Sequence, residues 1–313
     1  MTAISTQGLS KYYGTIKALD DLNLEIPDNA VFGFLGPNGA GKTTTIKLLT
    51  GFARPTSGKA QVAGEKIGDN NLALQSKIGL LPDVPAFYNW MSSREFMRFV
   101  GEVHHLPGSE IRNRTEELLE LVELKKSGNR RIGGYSRGMR QRLGIAQALI
   151  NRPKVLFMDE PTSALDPIGR REVLNLILRL RENTTIFMSS HILSDVERVC
   201  DMVGIIDKGK LVTVSSVEAL QKKYAHSIFE MEFIENPGLF VESLKQITWL
   251  AEPAIVIVNG TPVIRVRAVD VNYARKELPR VISDSGLTLT RYELSLPSIE
   301  DIFVEILTNR DRQ

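Results

Sequence analysis

The apolar run Val31-Phe32-Gly33-Phe34-Leu35 leads straight into Gly36-Pro37-Asn38-Gly39-Ala40-Gly41-Lys42-Thr43-Thr44, and a helical pattern takes over through Thr44-Thr45-Ile46-Lys47-Leu48-Leu49. Five apolar residues bounded by glycine fit a buried strand, so the glycine-rich turn joins a strand to a helix N-terminus. Glycines reach backbone angles closed to other residues and let amide N–H groups approach a polyphosphate. The helix start adds aligned donors and a favourable dipole. A strand, a phosphate cradle and a helix in that order predict an α/β fold.

The spacing is the full G-x-x-x-x-G-K-T of a P-loop. In that scheme Lys42 reaches the β- and γ-phosphates, the Thr43 hydroxyl ligates Mg²⁺ and Thr44 sits on the α-phosphate. A glycine-rich turn with an exposed lysine is the plainer alternative. The strand-turn-helix context favours nucleotide binding by residues 36–44, without saying which nucleotide or for what purpose.

At 313 residues the chain is long enough for a substantial core and two domains. Its 39 Lys and Arg against 37 Asp and Glu leave a net charge of +2, so no global field calls for nucleic acid or an anionic membrane surface. The single cysteine, Cys200, excludes an intrachain disulfide and a cysteine metal cluster, and is expected to be a buried thiol in a reducing compartment. No apolar run is long enough to span a bilayer, and the first residues have neither the basic nor the apolar region of a signal peptide. These readings predict a cytosolic protein.

Further along, residues 3–8 and 22–26 alternate like strands, with Tyr12-Tyr13-Gly14 between them. An aromatic just upstream of a P-loop strand can stack on a base, although Tyr13 fits a core or surface tyrosine equally well. Residues 59–67 read as a hairpin strand and turn, and Lys77–Leu81 as another strand. Residues 85–126 change to helical periods around Ser93–His104 and Ser109–Leu124. Ser136, within Tyr135-Ser136-Arg137-Gly138-Met139-Arg140-Gln141-Arg142, is placed to cap the helix that follows and to expose amides to an anion. An ordinary capped helix would account for it too.

The run Val155-Leu156-Phe157-Met158 ends in Asp159-Glu160. Neighbouring side chains on a strand point opposite ways, so the two acids should play different roles. Asp159 suits the Mg²⁺ shell and Glu160 a base holding the attacking water. A turn or helix cap would also explain an acidic pair there. Asp166 with Pro167 reads as N-cap and first residue of a helix. His191 follows the strand 184–190, at the strand end where open α/β sheets bind ligands. From about Ala225 the pattern runs β-α-β-β-α-β with one added helix, which matches a ferredoxin-like sandwich. No catalytic cluster is visible in that tail, which reads as a regulatory or dimerising module.

Taken in order, Tyr13, residues 36–44, Asp83, Tyr135–Met139, Asp159-Glu160, Asp166 and His191 resemble the ATP-binding subunit of an ATP-binding cassette (ABC) transporter over roughly residues 3–220. The signature segment, the Lys-Tyr-Tyr-Gly start and Glu300-Asp301-Ile302-Phe303 look like the bacterial exporter type whose membrane subunit is a separate polypeptide. The resemblance implies an ABC ATPase domain over 1–220, with a RecA-like sheet, an antiparallel β subdomain and a helical subdomain at about 85–150, followed by an accessory or dimerisation domain over 225–313. It implies ATP and Mg²⁺ as cofactors, with Gly36, Pro37, Asn38, Gly39, Ala40, Gly41, Lys42, Thr43 and Thr44 around the phosphates and Tyr13 stacked on adenine. Glu160 would be the general base, His191 the γ-phosphate sensor and Lys42 a catalytic cation. Thr43, Asp159 and Asp83 would serve the metal.

Ser136 and Gly138 would cap the γ-phosphate of a second subunit, and Asp166 would couple the two sites. The implied partners are therefore a second ABC subunit, as a homodimer, and an integral-membrane permease that holds the chain at the inner face of the membrane. Three departures stand out: Arg137 replaces the usual signature glycine, Met139 the usual glutamine, and Asp83 the usual Q-loop glutamine. Asp83 is shorter and anionic, so a water-mediated metal contact fits it, as does a turn role. The aromatics in Phe87-Tyr88-Asn89-Trp90-Met91 fit either the docking site of a membrane subunit or burial in the helical insertion. The rival readings are a soluble ATP-driven mechanical protein and an ATP-gated module on a membrane sensor.

Overall fold

The computed structural model describes residues 2–68, 71–163, 165–223, 228–258, 260–295 and 298–311. The chain divides into two compact units, Met1–Val217 and Glu218–Gln313. The expected start of the tail, Ala225, lies outside the described residues.

The first unit opens with β1 (Thr2–Tyr13) and β2 (Ile16–Pro27), a long antiparallel hairpin. The sequence alternation is readable only at 3–8 and 22–26, because register shifts at Thr6/Leu9 and Leu9/Lys11 break the period of two in the middle. Tyr12 and Tyr13 therefore lie in β1 itself. Strand β3 (Val31–Leu35) is wholly buried and runs into the glycine turn and α1 (Lys42–Leu49), which begins two residues before the apolar period does. Strands β4 (Ser57–Val62) and β5 (Glu65–Lys66) complete an antiparallel sheet in the order β2-β1-β4-β5. Helix α2 (Leu72–Lys77) escapes the sequence reading and takes in Lys77, expected as a strand residue. It is six residues long and buries Leu74 alone, too little to show a period.

Strand β6 (Ile78–Leu81) precedes the helical segment α3 (Ser93–Val103), α4 (Gly108–Leu121) and α5 (Arg137–Ala148). Ser92 and Glu95 close a reciprocal capping box at the start of α3, with Ser92 N–H donating to Glu95 Oε2 at 2.7 Å. Tyr135 Oη donates to the Ser127 carbonyl at 2.8 Å and lies 3.0 Å from Ser93 Oγ, fixing the approach to α5. The main chain then continues through β7 (Val155–Asp159), α6 (Pro167–Leu180), β8 (Thr185–Ser190), α7 (Leu193–Val199), β9 (Met202–Asp207) and β10 (Lys210–Ser216).

These strands form a six-stranded sheet in the order β10-β9-β3-β8-β7-β6, parallel except for β10. Its centre is filled by Phe32, Phe34, Phe157 and Phe187, whose ring centroids lie 5.4 to 6.3 Å apart. Such runs are apolar throughout because a parallel sheet is covered on both faces. Cys200 is free and buried beside α7, as its composition-level reading expects.

Helix α8 (Val217–Lys223) is not legible in the sequence either, being short with one buried residue, Leu220. The second unit contains β11 (Ile228–Phe233), α9 (Gly238–Leu244), β12 (Leu250–Val258), β13 (Thr261–Ala268), α10 (Val271–Asp284), β14 (Leu289–Ser295) and α11 (Ile299–Asp311). Its antiparallel sheet has the order β12-β13-β11-β14, which is the split β-α-β arrangement of a ferredoxin-like fold. One apolar face is closed by Phe240, Val241, Leu244, Ala274, Leu278 and Ile282 from the helices.

Candidate functional site

The loops after β3, β7 and β6, which carry residues 36–44, Glu160 and Asp83, leave the same edge of the six-stranded sheet, because these strands are parallel and each ends there. They surround an open cavity of about 440 Å³. Its lining includes Pro37, Asn38, Gly39, Gly41, Lys42, Thr43 and Thr44 from the glycine turn, Asp159 and Glu160 from the end of β7, and Asp83 from beyond β6. Ile16, Lys17 and Ala18 of β2 and Lys208 of the β9–β10 turn close the rest.

The glycine turn is shaped by close approach. An added Cβ at Gly36 would collide with the Ile206 carbonyl oxygen, and one at Gly41, whose φ is +111°, with the Ala18 carbonyl oxygen. Only glycine at these two positions lets the loop pass this close to β2 and β9.

Lys42 is 7% exposed, and its Nζ donates to the Gly36 carbonyl at 2.6 Å and the Pro37 carbonyl at 3.3 Å. The same ammonium lies 3.5 Å from Glu160 Oε1. Glu160 Oε2 in turn is 2.7 Å from His191 Nδ1 and accepts from the His191 N–H at 3.3 Å. Three residues from three loops thus meet around one carboxylate. Glu160 stands just past β7 with φ +49°, a left-handed conformation unusual for a glutamate, and its N–H donates to Ser189 Oγ at 3.1 Å. Backbone in this region persists only where the surroundings over-determine it. Asp159, on the last residue of β7, is buried and accepts from Ser189 Oγ at 2.5 Å. Strand alternation alone leads one to expect different roles for the two acids; the turn at Glu160 separates them further.

Ser189 bonds to both acids and motif reading passes over it, since a serine in a buried strand carries no signal of its own. Gln141 is another: on α5 and buried, it donates through Nε2 to the Pro161 carbonyl at 2.9 Å, tying the signature helix to the turn after Glu160. Asp83 is exposed and accepts from Ser163 Oγ at 2.8 Å, so it faces both the cavity and the segment after Glu160.

Other predicted residues lie off the cavity lining. Tyr13 is half exposed, with Lys11 Nζ 5.0 Å from its ring centroid, and pairs across the hairpin with Ile16, which does line the cavity. Ser136 caps α5, accepting from the Met139 N–H at 3.2 Å, and Gly138 has open space where a side chain would stand. Asp166 caps α6 by accepting from the Gly169 N–H at 3.1 Å. Of the aromatic segment, Phe87 turns inward edge-on against Phe96 at 5.1 Å, whereas Tyr88 and Trp90 stay exposed, Trp90 at 65%. Burial and exposure divide the segment between them.

The cavity fits a polyphosphate and a divalent ion. A buried ammonium and a strand-to-helix loop face it, and Thr43 and Asp159 supply oxygen donors of the kind Mg²⁺ takes. Among the described residues no group of three or more His, Cys, Asp or Glu side chains gathers to cage a metal. Thr43 and Asp159 would hold the ion, which would supply positive charge against the phosphates.

Fold and cavity together define a P-loop nucleotide hydrolase. The ABC transporter family model matches residues 19–163. The chain is 37% identical over 304 residues to an ABC transporter ATP-binding protein of Bacillus subtilis, covering 97% of this chain and 99% of that one. It is 36% identical over 309 residues to the bacitracin transport ATP-binding protein of Bacillus licheniformis, covering 98% and 97%. Against a daunorubicin resistance ATP-binding protein of Streptomyces coeruleorubidus it is 31% identical over 313 residues, covering 100% and 98%. A solved ATP-binding subunit of an ABC transporter superposes with a TM-score of 0.65 at 25% identity, over 71% of this chain and 93% of that one.

The chain belongs to the ATP-binding proteins of ABC transporters. It is an ATP hydrolase with ATP and Mg²⁺ as its cofactors, and it works with a second ATP-binding subunit and a separate membrane permease. No described helix is long and apolar enough to cross a membrane.

Proposed function

We propose that this chain powers export, with each ATP held between the cavity of one subunit and the α5 N-terminus of another. The observation that carries this reading is the division of the predicted residues. Lys42 and Glu160 line one cavity and His191 is bonded to Glu160, while Ser136 and Gly138 are on an open helix start that does not line it. A second copy would supply that start to the first, and a homodimer would complete two sites at once.

On this reading Lys42 leaves Glu160 and binds the β- and γ-phosphates, and residues 36–44 wrap the phosphate chain. Thr43 and Asp159 hold Mg²⁺, with Asp83 reaching it through water. Glu160 then accepts a proton from the attacking water, and His191, already bonded to Glu160, senses the γ-phosphate. Tyr13 stacks on adenine beside Ile16, and Asp166 couples the two sites. The exposed Tyr88 and Trp90 suit the docking site of the permease, which would keep the chain on the inner face of the membrane. The names of the bacitracin and daunorubicin relatives support drug or peptide export. The unit Glu218–Gln313, among whose described residues no catalytic cluster stands out, serves as an accessory or dimerising domain, and the ATPase domain occupies about 1–220.

The test is gel filtration of Glu160→Gln with ATP and Mg²⁺. A stable dimer that the wild type loses on turnover is expected; a monomer under those conditions sinks the composite-site reading. Co-purification from membranes with a polytopic partner separates export subunits from a soluble mechanical ATPase.

A further inference from the structure

Asp195, in the first turn of α7, is 1% exposed, and its two carboxylate oxygens are both taken by side chains from the segment that follows Glu160. Oδ2 accepts from Thr162 Oγ1 at 2.5 Å, and Oδ1 accepts from Arg170 Nε at 2.6 Å. Thr162 is itself buried, two residues beyond Glu160; Arg170 stands in the first turn of α6, the helix capped by Asp166. Arg170 also donates to Ser194 Oγ at 2.8 Å. The Asp195 N–H returns to the Ile192 carbonyl at 3.2 Å, locking α7 to the residue after His191.

Burying a carboxylate costs several kcal/mol unless it is paired and hydrogen-bonded, so such a group is weak evidence for stability alone. Its partners show what it fixes. Both lie on the stretch that carries Glu160 and Asp166, and its own helix begins beside His191. Glu160 needs such a tie because its left-handed φ has to be held against relaxation. Ser189 holds the Glu160 N–H from the sheet side and Gln141 holds the Pro161 carbonyl from α5. Asp195 supplies the third constraint, from α7.

We propose that Asp195 is a positioning residue for ATP hydrolysis: through Thr162 and Arg170 it sets Glu160 and His191 in register, without touching nucleotide. This rests on the reading of Glu160 as the base. A misplacement of about 1 Å in a reacting group can cost about 100-fold in rate while leaving substrate binding alone. Loss of the tie is therefore expected in kcat and not in ATP affinity.

The experiment measures steady-state ATP hydrolysis by the full chain with Mg²⁺, together with ATP affinity and the thermal melt. Asp195→Asn should lower kcat about 10- to 100-fold, with KM and ATP affinity within about 2-fold of the wild type. Thr162→Val, which keeps the Asp195–Arg170 pair but removes the hydroxyl, should lower kcat in the same way. Thr162→Ser, which keeps the hydroxyl, should retain it. The Thr162 pair decides the question even if Asp195→Asn fails to fold. Equal turnover in Thr162→Val and Thr162→Ser overturns the proposal, as does a fall in kcat matched by an equal loss of ATP affinity. Glu160→Gln is the control: if it keeps full turnover, the reading of Glu160 falls and this inference falls with it. If Glu160→Gln is inactive while Thr162→Val is as active as Thr162→Ser, only the inference falls.

Discussion

Two glutamates in this chain each face two basic side chains, in very different settings. Glu160, 14% exposed, meets Lys42 at 3.5 Å and His191 at 2.7 Å. Glu230, 6% exposed, meets Arg265 Nη2 at 2.6 Å and Arg291 Nη2 at 3.2 Å. Glu230 sits in mid-strand on β11, with Arg265 directly opposite on β13 and Arg291 on β14. The ladders on both sides fix its backbone, and its arginines have further acids in reach, Asp301 for one and Glu293 for the other. Guanidinium forks hold such geometry and do not give up their protons. Glu160 lies one residue beyond its strand, where its N–H still reaches the Ser189 carbonyl at 3.2 Å and Oγ at 3.1 Å, and its partners arrive from the glycine turn and the loop after β8. A glutamate between two basic side chains is held on a ladder in the one case and on the turn past a strand end in the other.

The contrast is sharpest in turnover. Glu160→Gln should lower ATP hydrolysis about 100-fold or more, the usual contribution of a general base, while the thermal melt barely moves. A melt that collapses with turnover would place Glu160 on the scaffold side. Glu230→Gln should do the reverse, lowering unfolding free energy by about 2 kcal/mol in denaturant titration and leaving turnover per folded molecule unchanged. The cost stays below that of breaking a fully buried pair because Arg265 and Arg291 keep 30% and 36% of their side-chain surface in water.

The smallest effect comes from His104, a half-buried group at the end of α3 whose imidazolium is disfavoured first by burial and then by the neighbouring His105. Its folded pKa lies below the ordinary 6.5, so the unfolded chain takes up the proton first as pH falls. Stability is then full above about pH 6.5 and declines below it until the folded group also protonates. His104→Asn should flatten that decline in melts run from about pH 7 to 5. An unchanged profile would mean that burial without a counter-charge has no consequence here.

Much of this is legible residue by residue. The glycine turn, the acidic pair after β7, the cap at Ser136 and the histidine after β8 each carry a local pattern, because phosphate cradles, strand ends and caps require particular residue types at fixed spacing. Short elements escape, α2 and α8 among them, since one buried residue makes no period. The hairpin β1–β2 reads too short in the sequence because its register shifts erase the alternation. The convergence of Glu160, Lys42 and His191 can be expected only from the family resemblance, and the grip of Ser189, Gln141 and Asp195 on the same loop not at all. Those are ordinary polar residues whose meaning lies in their partners.

The sequence by itself determined the strand-loop-helix cradle at residues 36–44, the order of the strands and helices around it, and the chemical type of each side chain near the phosphates. Those follow from local sterics and periodicity, which act within a few residues. Tertiary structure decided which of those side chains share a cavity and which stay open on the surface. It also decided that Glu230 is held in mid-ladder while Glu160 sits on the turn just past a strand end. Such outcomes depend on which strands lie side by side, and in a parallel sheet neighbours such as β3 and β8 are about 150 residues apart in the chain.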